Sequence, residues 1–167
     1  MYHNGGQFDV LNTDFPSPQI RAVQGLYGMY VLGDQVVLRW GDSGQKRHLG
    51  VFGAFLFVPD QRLNAAPYLF DCGLVGYGLV SSRPKDFAAM GVAYGSYTGS
   101  LRSAEADTAA GMASALRKFE TTIEWTYGCV IRPGLVLQPS LQYIIHPKGA
   151  PAIPNAIAIG VNLVLSF

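Results

Sequence analysis

The last segment of the chain, Ala156–Phe167, alternates between two kinds of residue with a period of two. Its odd positions carry large apolar side chains: Ile157, Ile159, Val161, Leu163, Leu165 and Phe167. Its even positions are mostly small or polar: Ala156, Ala158, Gly160, Asn162, Val164 and Ser166. Because successive side chains of a β-strand point to opposite faces of the sheet, this pattern predicts a strand with one apolar face that ends on an aromatic residue.

The two preceding segments, Phe119–Ile131 and Leu135–His146, show the same alternation. In the first, the odd positions are apolar or aromatic apart from Thr121, and the even positions include Glu120 and Glu124. In the second, leucine, tyrosine and isoleucine share the odd positions with Pro139, and the even positions carry Val136, Gln138, Ser140, Gln142, Ile144 and His146. The turn sequence Arg132-Pro133-Gly134 joins the two predicted strands. A proline cannot donate to the sheet ladder, so Pro139 predicts a bulge or a weak point.

Earlier strands are predicted at Leu26–Trp40, His48–Val58, Tyr68–Val80 and Phe87–Tyr97. We interpret Leu26–Trp40 as one long strand whose apolar even positions face outward and whose Gln35 and Arg39 face inward. Asp34 breaks that pattern. Apolar residues occupy both sets of positions in His48–Val58, so its pattern predicts no orientation.

The connecting segments alternate in length. Counting back from Phe167, they are 147–155, 132–134, 98–117, 81–86, 59–67 and 41–47. Outer-membrane barrels have short periplasmic turns and longer outside loops, so 132–134, 81–86 and 41–47 are predicted to be periplasmic. The longest loop, 98–117, contains an alanine-rich stretch, Ser103–Leu116, for which we predict a helical turn with Ser103 as its cap and Glu105 in its first turn.

Composition points to a wall that contacts lipid. Charged residues make up 14% of the 167 residues, against about a quarter in soluble domains, and hydrophobic residues make up 49%. The mean hydropathy is +0.20. No apolar run reaches the ~20 residues of a transmembrane helix. The formal charge of +1 gives no electrostatic basis for nucleic-acid binding. These features favour an all-β, antiparallel, transmembrane barrel of the outer-membrane porin type.

The strand count suggests an incomplete barrel. We expect residues 1–20 to be a loop or irregular and residues 21–167 to form about seven strands, whereas single-chain bacterial barrels have an even number. An open sheet would leave unpaired edges in lipid, so the partner is expected to be a missing N-terminal half or further copies of this chain. The first residues lack the basic and apolar regions of a signal peptide, so a signal is expected upstream in a longer chain, or the chain is a truncated product.

Several short blocks resemble the OprB-type carbohydrate-selective porins. They are Gly25-Leu26-Tyr27-Gly28, Gly33-Asp34-Gln35, Leu49-Gly50-Val51-Phe52, Met90-Gly91-Val92-Ala93-Tyr94, Glu120 with Glu124 and Tyr127, and Leu137-Gln138-Pro139 with Leu141-Gln142-Tyr143-Ile144. The likeness covers roughly residues 20–167. It implies the C-terminal half, about seven strands, of a sixteen-stranded outer-membrane pore that passes sugars by facilitated diffusion. His146 stands where the family usually has asparagine, and Ala54 where an arginine is common.

A sugar pore needs many weak hydrogen bonds along a polar lumen and no cofactor, metal or covalent step. We expect the lumen to be lined by Glu120, Glu124, Gln138, Gln142, Asp71, Gln35 and Arg39, with carbohydrates and outer-membrane lipid as the partners. Glu120 and Glu124 would lie ~13 Å apart on a strand, farther than the ~6.5–9.5 Å of an inverting glycosidase, which argues against an enzyme.

Two other functions stay open at the level of the sequence. A soluble lipocalin-like barrel would bind an apolar ligand inside and show the reverse orientation, apolar in and polar out. A small eight-stranded membrane anchor would follow if the long segment splits at Gly33-Asp34. Cys72 and Cys129 lack metal-ligand spacing, as do His3, His48 and His146, and sequence does not show whether the two cysteines pair.

Overall fold

The computed structural model describes residues 2–9, 22–41, 47–60, 64, 66–97 and 117–166. They form one antiparallel sheet in which eight strands follow their order along the chain. The strands are β1 (Tyr2–Asp9), β2 (Ala22–Trp40), β3 (Arg47–Phe57), β4 (Tyr68–Tyr77), β5 (Phe87–Ser96), β6 (Phe119–Arg132), β7 (Leu135–Ile145) and β8 (Ala156–Leu165). A 3₁₀ turn at Pro147–Gly149 lies between β7 and β8. No helix in these ranges is long and apolar enough to cross a membrane.

The first strand was not expected. Residues 1–20 were predicted to be a loop or irregular, but β1 pairs with the first half of β2. The sequence of β1 has almost no apolar alternation, and backbone hydrogen bonds to β2 define it instead. The rest of that range, and the predicted helical turn at Ser103–Leu116, lie outside the described residues.

The long strand β2 is continuous through Gly33-Asp34, so the split required by the eight-stranded anchor is wrong. β2 contains a bulge instead. Val36 pairs with Gly50 and Leu38 pairs with Leu49, which leaves Val37 as an extra residue. A one-residue insertion reverses which side chains face each side of the sheet.

The bulge overturns the predicted orientation of the first part of β2. Tyr30, Leu32, Asp34 and Val36 share one face with Arg39, whereas Gln35 lies opposite Val51 on the other face. Gln35 was expected to face inward beside Arg39, and this is wrong because the bulge lies between them. Asp34, which broke the expected pattern, lies on the same face as Arg39.

The register separates two faces that run across the sheet from β2 to β8. The face that carries Glu124 and Gln142 is named the glutamate face, and the face that carries Trp125 and Leu141 is named the aliphatic face. On β8 the aliphatic face presents Ile157, Ile159 and Val161, which are 70%, 81% and 65% exposed. The predicted alternation in β6, β7 and β8 is confirmed by this register.

Proline and glycine shape the β6–β7 hairpin. Pro133 and Gly134 form its two-residue turn, where Gly134 has a φ of 80°, as the third position of a type II turn requires. Thr126 pairs with Ser140 and Cys129 pairs with Leu137, but Tyr127 and Gly128, which lie between Thr126 and Cys129, have no paired residue on β7. Pro139 faces this gap, so the predicted weak point is present at Pro139, while the bulge lies nearer the turn.

β1 and β8 form the two edges of the described sheet and do not pair with each other. The described strands therefore do not close into a barrel among themselves. An unpaired strand edge leaves backbone N–H and C=O groups without partners, which lipid does not tolerate.

Candidate functional site

Charged side chains in β2–β8 are concentrated on one face. The glutamate face carries Asp34, Arg39, Asp71, Glu120 and Glu124. On the aliphatic face, the charged residues of these strands are Arg47 and Arg132, which are the first residue of β3 and the last of β6. The middle of the aliphatic face is thus free of charge within the described strands. A surface of this kind suits lipid, and the opposite face suits water.

One row of paired residues crosses the glutamate face. It is named the Phe52 row and consists of Asp34, Phe52, Gly73, Gly91, Glu124, Gln142 and Ala158. Within it, the side-chain amide of Gln142 donates a 2.6 Å hydrogen bond to a carboxylate oxygen of Glu124. Both residues were predicted to line the lumen, and here they form a directly paired, charge-assisted contact between β6 and β7.

The Phe52 ring lies along the sheet over two glycines. A Cβ built on Gly73 would lie 2.6 Å from Phe52 Cζ, and one built on Gly91 would lie 3.6 Å from the same atom. Gly73 and Gly91 are on β4 and β5, so the ring extends from β3 across its neighbour. A side chain at position 73 would displace the ring. Phe52 was not predicted as a site residue, because the pattern of β3 gave no orientation.

A second row holds three aromatic rings in a different arrangement. It is named the His48 row and consists of Arg39, His48, Tyr77, Phe87 and Gly128. The His48 and Tyr77 rings stack with centroids 4.7 Å apart and planes 23° apart, and Tyr77 and Phe87 are 5.6 Å apart. The 4.7 Å separation equals the ~4.7–4.9 Å spacing of neighbouring strands, so the His48 and Tyr77 rings stand upright with their faces against each other.

A recess of 390 Å³ opens on the glutamate face near the ends of β3 and β4 that meet the 58–67 loop. Its polar lining comes from Asp71, Glu120 and Thr122. Exposed apolar side chains complete it, and Tyr30 and Leu32 are 56% and 69% exposed. The volume falls within the ~300–1,000 Å³ of small-molecule sites.

Glu120 makes a contact that the sequence did not indicate. Its carboxylate accepts a hydrogen bond from the backbone N–H of Lys148 in the 3₁₀ turn. His146 and Lys148 both adopt positive φ values, of 51° and 59°, in this segment. The backbone N–H of Lys118 also donates to Gly149 O at 2.7 Å. Glu120 therefore fixes the β7–β8 connection against the start of β6.

The opposite end of β6 is fixed by a buried carboxylate in the 78–86 turn. Asp86 is 4% exposed and forms a 2.6 Å ion pair with Arg83. Its carboxylate also accepts hydrogen bonds from the Tyr127 hydroxyl at 2.6 Å and from the Val130 backbone N–H at 2.9 Å. The hydrogen bond from Arg83 is the largest of the causes that lower the pKa of Asp86 to about 2.

The predicted lumen residues are distributed as follows. The glutamate face carries Asp71, Glu120, Glu124, Gln138, Gln142 and Arg39, and Gln35 lies on the aliphatic face. The register adds the polar residues Asp34, Thr122, Thr126, Ser140 and Asn162 to the glutamate face. The alternation in β6, β7 and β8 already placed four of these five, but Asp34 could be placed only once the bulge in β2 was known.

The two cysteines do not pair and are free thiols. Cys72 lies in the row of Val92 and Ile123 on the aliphatic face, and Cys129 is further along β6. Six residues of strand separate Ile123 from Cys129, about 20 Å, which is far beyond the ~7 Å limit for a disulfide. The Cys129 thiol accepts a 2.8 Å hydrogen bond from Arg83.

An antiparallel sheet with one charged face, and with an aliphatic face that carries charge only at strand ends, defines this chain as part of a transmembrane β-barrel wall. The fold agrees with that of a solved structure of Pseudomonas putida OprB, with a TM-score of 0.85 and 23% sequence identity over 99% of this chain. The family model of the carbohydrate-selective porins, OprB family, matches residues 3–167. The chain belongs to this family, and the resemblance found in its sequence is confirmed.

A curated relative supports the same family. Porin B of Pseudomonas aeruginosa is 27% identical over 151 residues, which cover 84% of this chain and 33% of the relative. The chain likewise covers 43% of the solved Pseudomonas putida structure. It thus spans about one third to less than half of these proteins. Family members are outer-membrane proteins of Gram-negative bacteria, as the sequence predicted.

Proposed function

We propose that this chain forms part of the wall of an outer-membrane pore through which carbohydrates diffuse, with the glutamate face toward the lumen. The observation that carries the proposal is the unequal distribution of charged side chains between the two faces of β2–β8. Five charged side chains lie on the glutamate face, and the two on the aliphatic face are at strand ends. A barrel wall in lipid must turn its uncharged face outward.

The glutamate face offers groups suited to neutral polyhydroxylated solutes. Carboxylates accept hydrogen bonds and carboxamides both donate and accept them. Asp71, Glu124 and Gln142 lie on different strands, so a solute that moves along the wall meets a succession of partners. Passage requires binding that is weak enough to release, and no bond is made or broken. The proposal is therefore of a channel and not an enzyme.

Closure of the pore requires strands beyond the described sheet. β1 and β8 expose their outer edges, and the family relatives are two to three times the length of the chain. We propose that the remaining wall comes from the part of such a barrel that this chain does not cover, with self-association as the alternative source. Outer-membrane lipid contacts the aliphatic face.

Sugar uptake into liposomes tests the proposal. Liposomes that contain the purified barrel with this chain should swell in isosmotic glucose faster than empty liposomes. The double variant Asp71→Ala, Glu124→Ala should reduce the swelling rate about twofold or more, because two hydrogen-bonding groups on the path are lost. The matched control is Phe70→Ala, Ile123→Ala, which changes the adjacent positions on the aliphatic face. Swelling no faster than that of empty liposomes would contradict the proposed function.

A further inference from the structure

The Phe52 row contains an aromatic ring whose surroundings differ from those of every ring in the His48 row. Phe52 is half-buried, and no described aromatic ring stacks against it. Its tip lies over the positions where Gly73 and Gly91 lack side chains. The ring therefore reaches from β3 over β4 toward β5 on the glutamate face.

Small residues lie beside this ring on two strands of the glutamate face. The neighbouring positions of that face on β3 are Gly50 and Ala54, and those on β5 are Ala89 and Ala93. None of the four side chains is larger than a methyl group. On β4, between them, the positions that flank Gly73 on this face are Asp71 and Val75, so the half-buried ring is bordered by four small residues, one carboxylate and one valine.

Hydrogen-bonding groups lie on both sides of Phe52 along the row. Glu124 pairs with Gly91, so it lies one strand spacing of ~4.8 Å from that glycine, and Gln142 holds its carboxylate by the 2.6 Å hydrogen bond. Asp34 lies opposite Phe52 on the other side. A flat apolar surface thus has polar groups at two edges.

This combination matches the chemistry of a pyranose. Such a ring has axial C–H groups on its apolar faces and hydroxyls around its rim. The C–H groups carry partial positive charge and the face of a phenyl ring is negative, so the two attract. We infer that Phe52 is a stacking subsite for a hexopyranose in the lumen, with Glu124, held by Gln142, accepting hydrogen bonds from its hydroxyls. This inference rests on the proposed function.

The His48 row does not provide an equivalent surface. His48 and Tyr77 stack on each other, and Phe87 lies over Gly128, with ring atoms 2.0 to 2.5 Å from where a Cβ would be. Phe87 is also in ring contact with Tyr77, with centroids 5.6 Å apart, so every ring of this row has another ring against it. Of the rings in these two rows, Phe52 is the one that no described ring contacts.

Single-barrel conductance in planar bilayers tests the inference, with glucose and the open-chain alcohol sorbitol as probes. Both offer hydroxyls, but sorbitol lacks the rigid apolar face. In the purified barrel with the unaltered chain, glucose should reduce the ion current at a lower concentration than sorbitol. Phe52→Leu should raise the half-blocking concentration of glucose about threefold to tenfold and leave that of sorbitol unchanged.

Two variants make the test specific. Phe52→Tyr keeps an aromatic face and should retain the half-blocking concentration of glucose within about twofold. Phe55→Leu makes the same change on the same strand, but Phe55 lies on the aliphatic face, so no effect is expected. Equal shifts for glucose and sorbitol, or no shift in Phe52→Leu, would overturn the stacking subsite. Absence of any sugar passage through the unaltered barrel would instead overturn the proposed function itself.

Discussion

Gln142 donates a hydrogen bond of 2.6 Å to Glu124, its direct partner across the β6–β7 pair. A carboxylate acceptor makes this bond stronger than one between neutral groups. Because both side chains lie on one face and both strands are well paired here, the bond restrains Glu124 on the proposed lumen wall.

We expect Gln142→Ala to lower the free energy of unfolding of the barrel by about 1–2 kcal/mol, because the charge-assisted bond is lost at a half-buried pair. Urea unfolding of the purified barrel, followed by tryptophan fluorescence, measures this. Gln138→Ala is the matched control, since Gln138 lies on the same strand and face without a side-chain hydrogen bond in the structure. Equal losses in the two variants would show that the bond to Glu124 contributes nothing.

Ion selectivity follows from the charges on the glutamate face. Asp34, Asp71, Glu120 and Glu124 are acidic there, and Arg39 is basic. A lumen wall with excess negative charge concentrates cations. We expect Asp34→Asn, Asp71→Asn to lower the cation-to-anion permeability ratio about twofold or more, as read from reversal potentials in a KCl gradient.

Arg39→Gln should shift the cation-to-anion permeability ratio in the opposite direction in the same assay. Removing the cation should raise the permeability ratio, because the remaining charge on the face is more negative. If the acidic and basic variants shift the reversal potential in the same direction, the glutamate face does not line the conducting path.

The sequence predicted the strands best where one face is apolar and the other polar. This is the case for β6 and β8, where the alternation agrees with the observed register. The bulge beside the β6–β7 turn, between Val130 and Arg132, was not predicted. A two-residue turn that pairs Arg132 with Leu135 would bring Glu124 opposite Tyr143, and the register shift between Val130 and Arg132 moves it to Gln142.

The first half of the sheet was harder to predict for a physical reason. Both faces of β2 carry large apolar residues: Tyr30 and Leu32 lie on the glutamate face, and Val31 lies on the aliphatic face. The alternation then does not indicate which side chains share a face of the sheet, and no sequence pattern predicts the bulge at Val37. The same ambiguity in β3 concealed Phe52.

The pH dependence of stability should reveal the Asp86 contacts. The pKa of Asp86 is about 2 in the folded chain against 3.8 ordinarily, so its ionised form stabilises the fold above pH 3.8. This contribution is lost as the pH falls from 3.8 through about 2. We expect Asp86→Asn to cost about 2 kcal/mol at pH 7, because Arg83, Tyr127 and Val130 lose an ionised acceptor.

Urea unfolding at pH 7, 4 and 2 checks this expectation. The difference between the unaltered protein and Asp86→Asn should stay nearly constant between the first two and shrink markedly at the third. Lys85→Ala changes the exposed neighbour in the same turn and should leave the profile unaltered. A difference that persists undiminished at pH 2 would contradict the role given to the ionised carboxylate.

Gly128 and Gly53 offer a matched pair for testing how closely the aromatic rows pack against the sheet. A Cβ on Gly128 would lie 2.0 to 2.5 Å from atoms of the Phe87 ring, whereas one on Gly53 would have its nearest neighbour at 3.6 Å. We expect Gly128→Ala to lower the free energy of unfolding by about 1–3 kcal/mol through overpacking, and Gly53→Ala to leave it within about 0.5 kcal/mol. Adding Phe87→Leu to Gly128→Ala should recover part of the loss, because the smaller side chain makes room for the methyl group. Urea unfolding of the four proteins, including the unaltered one, gives the values. Equal stability of the two alanine variants would mean that Phe87 does not lie over Gly128.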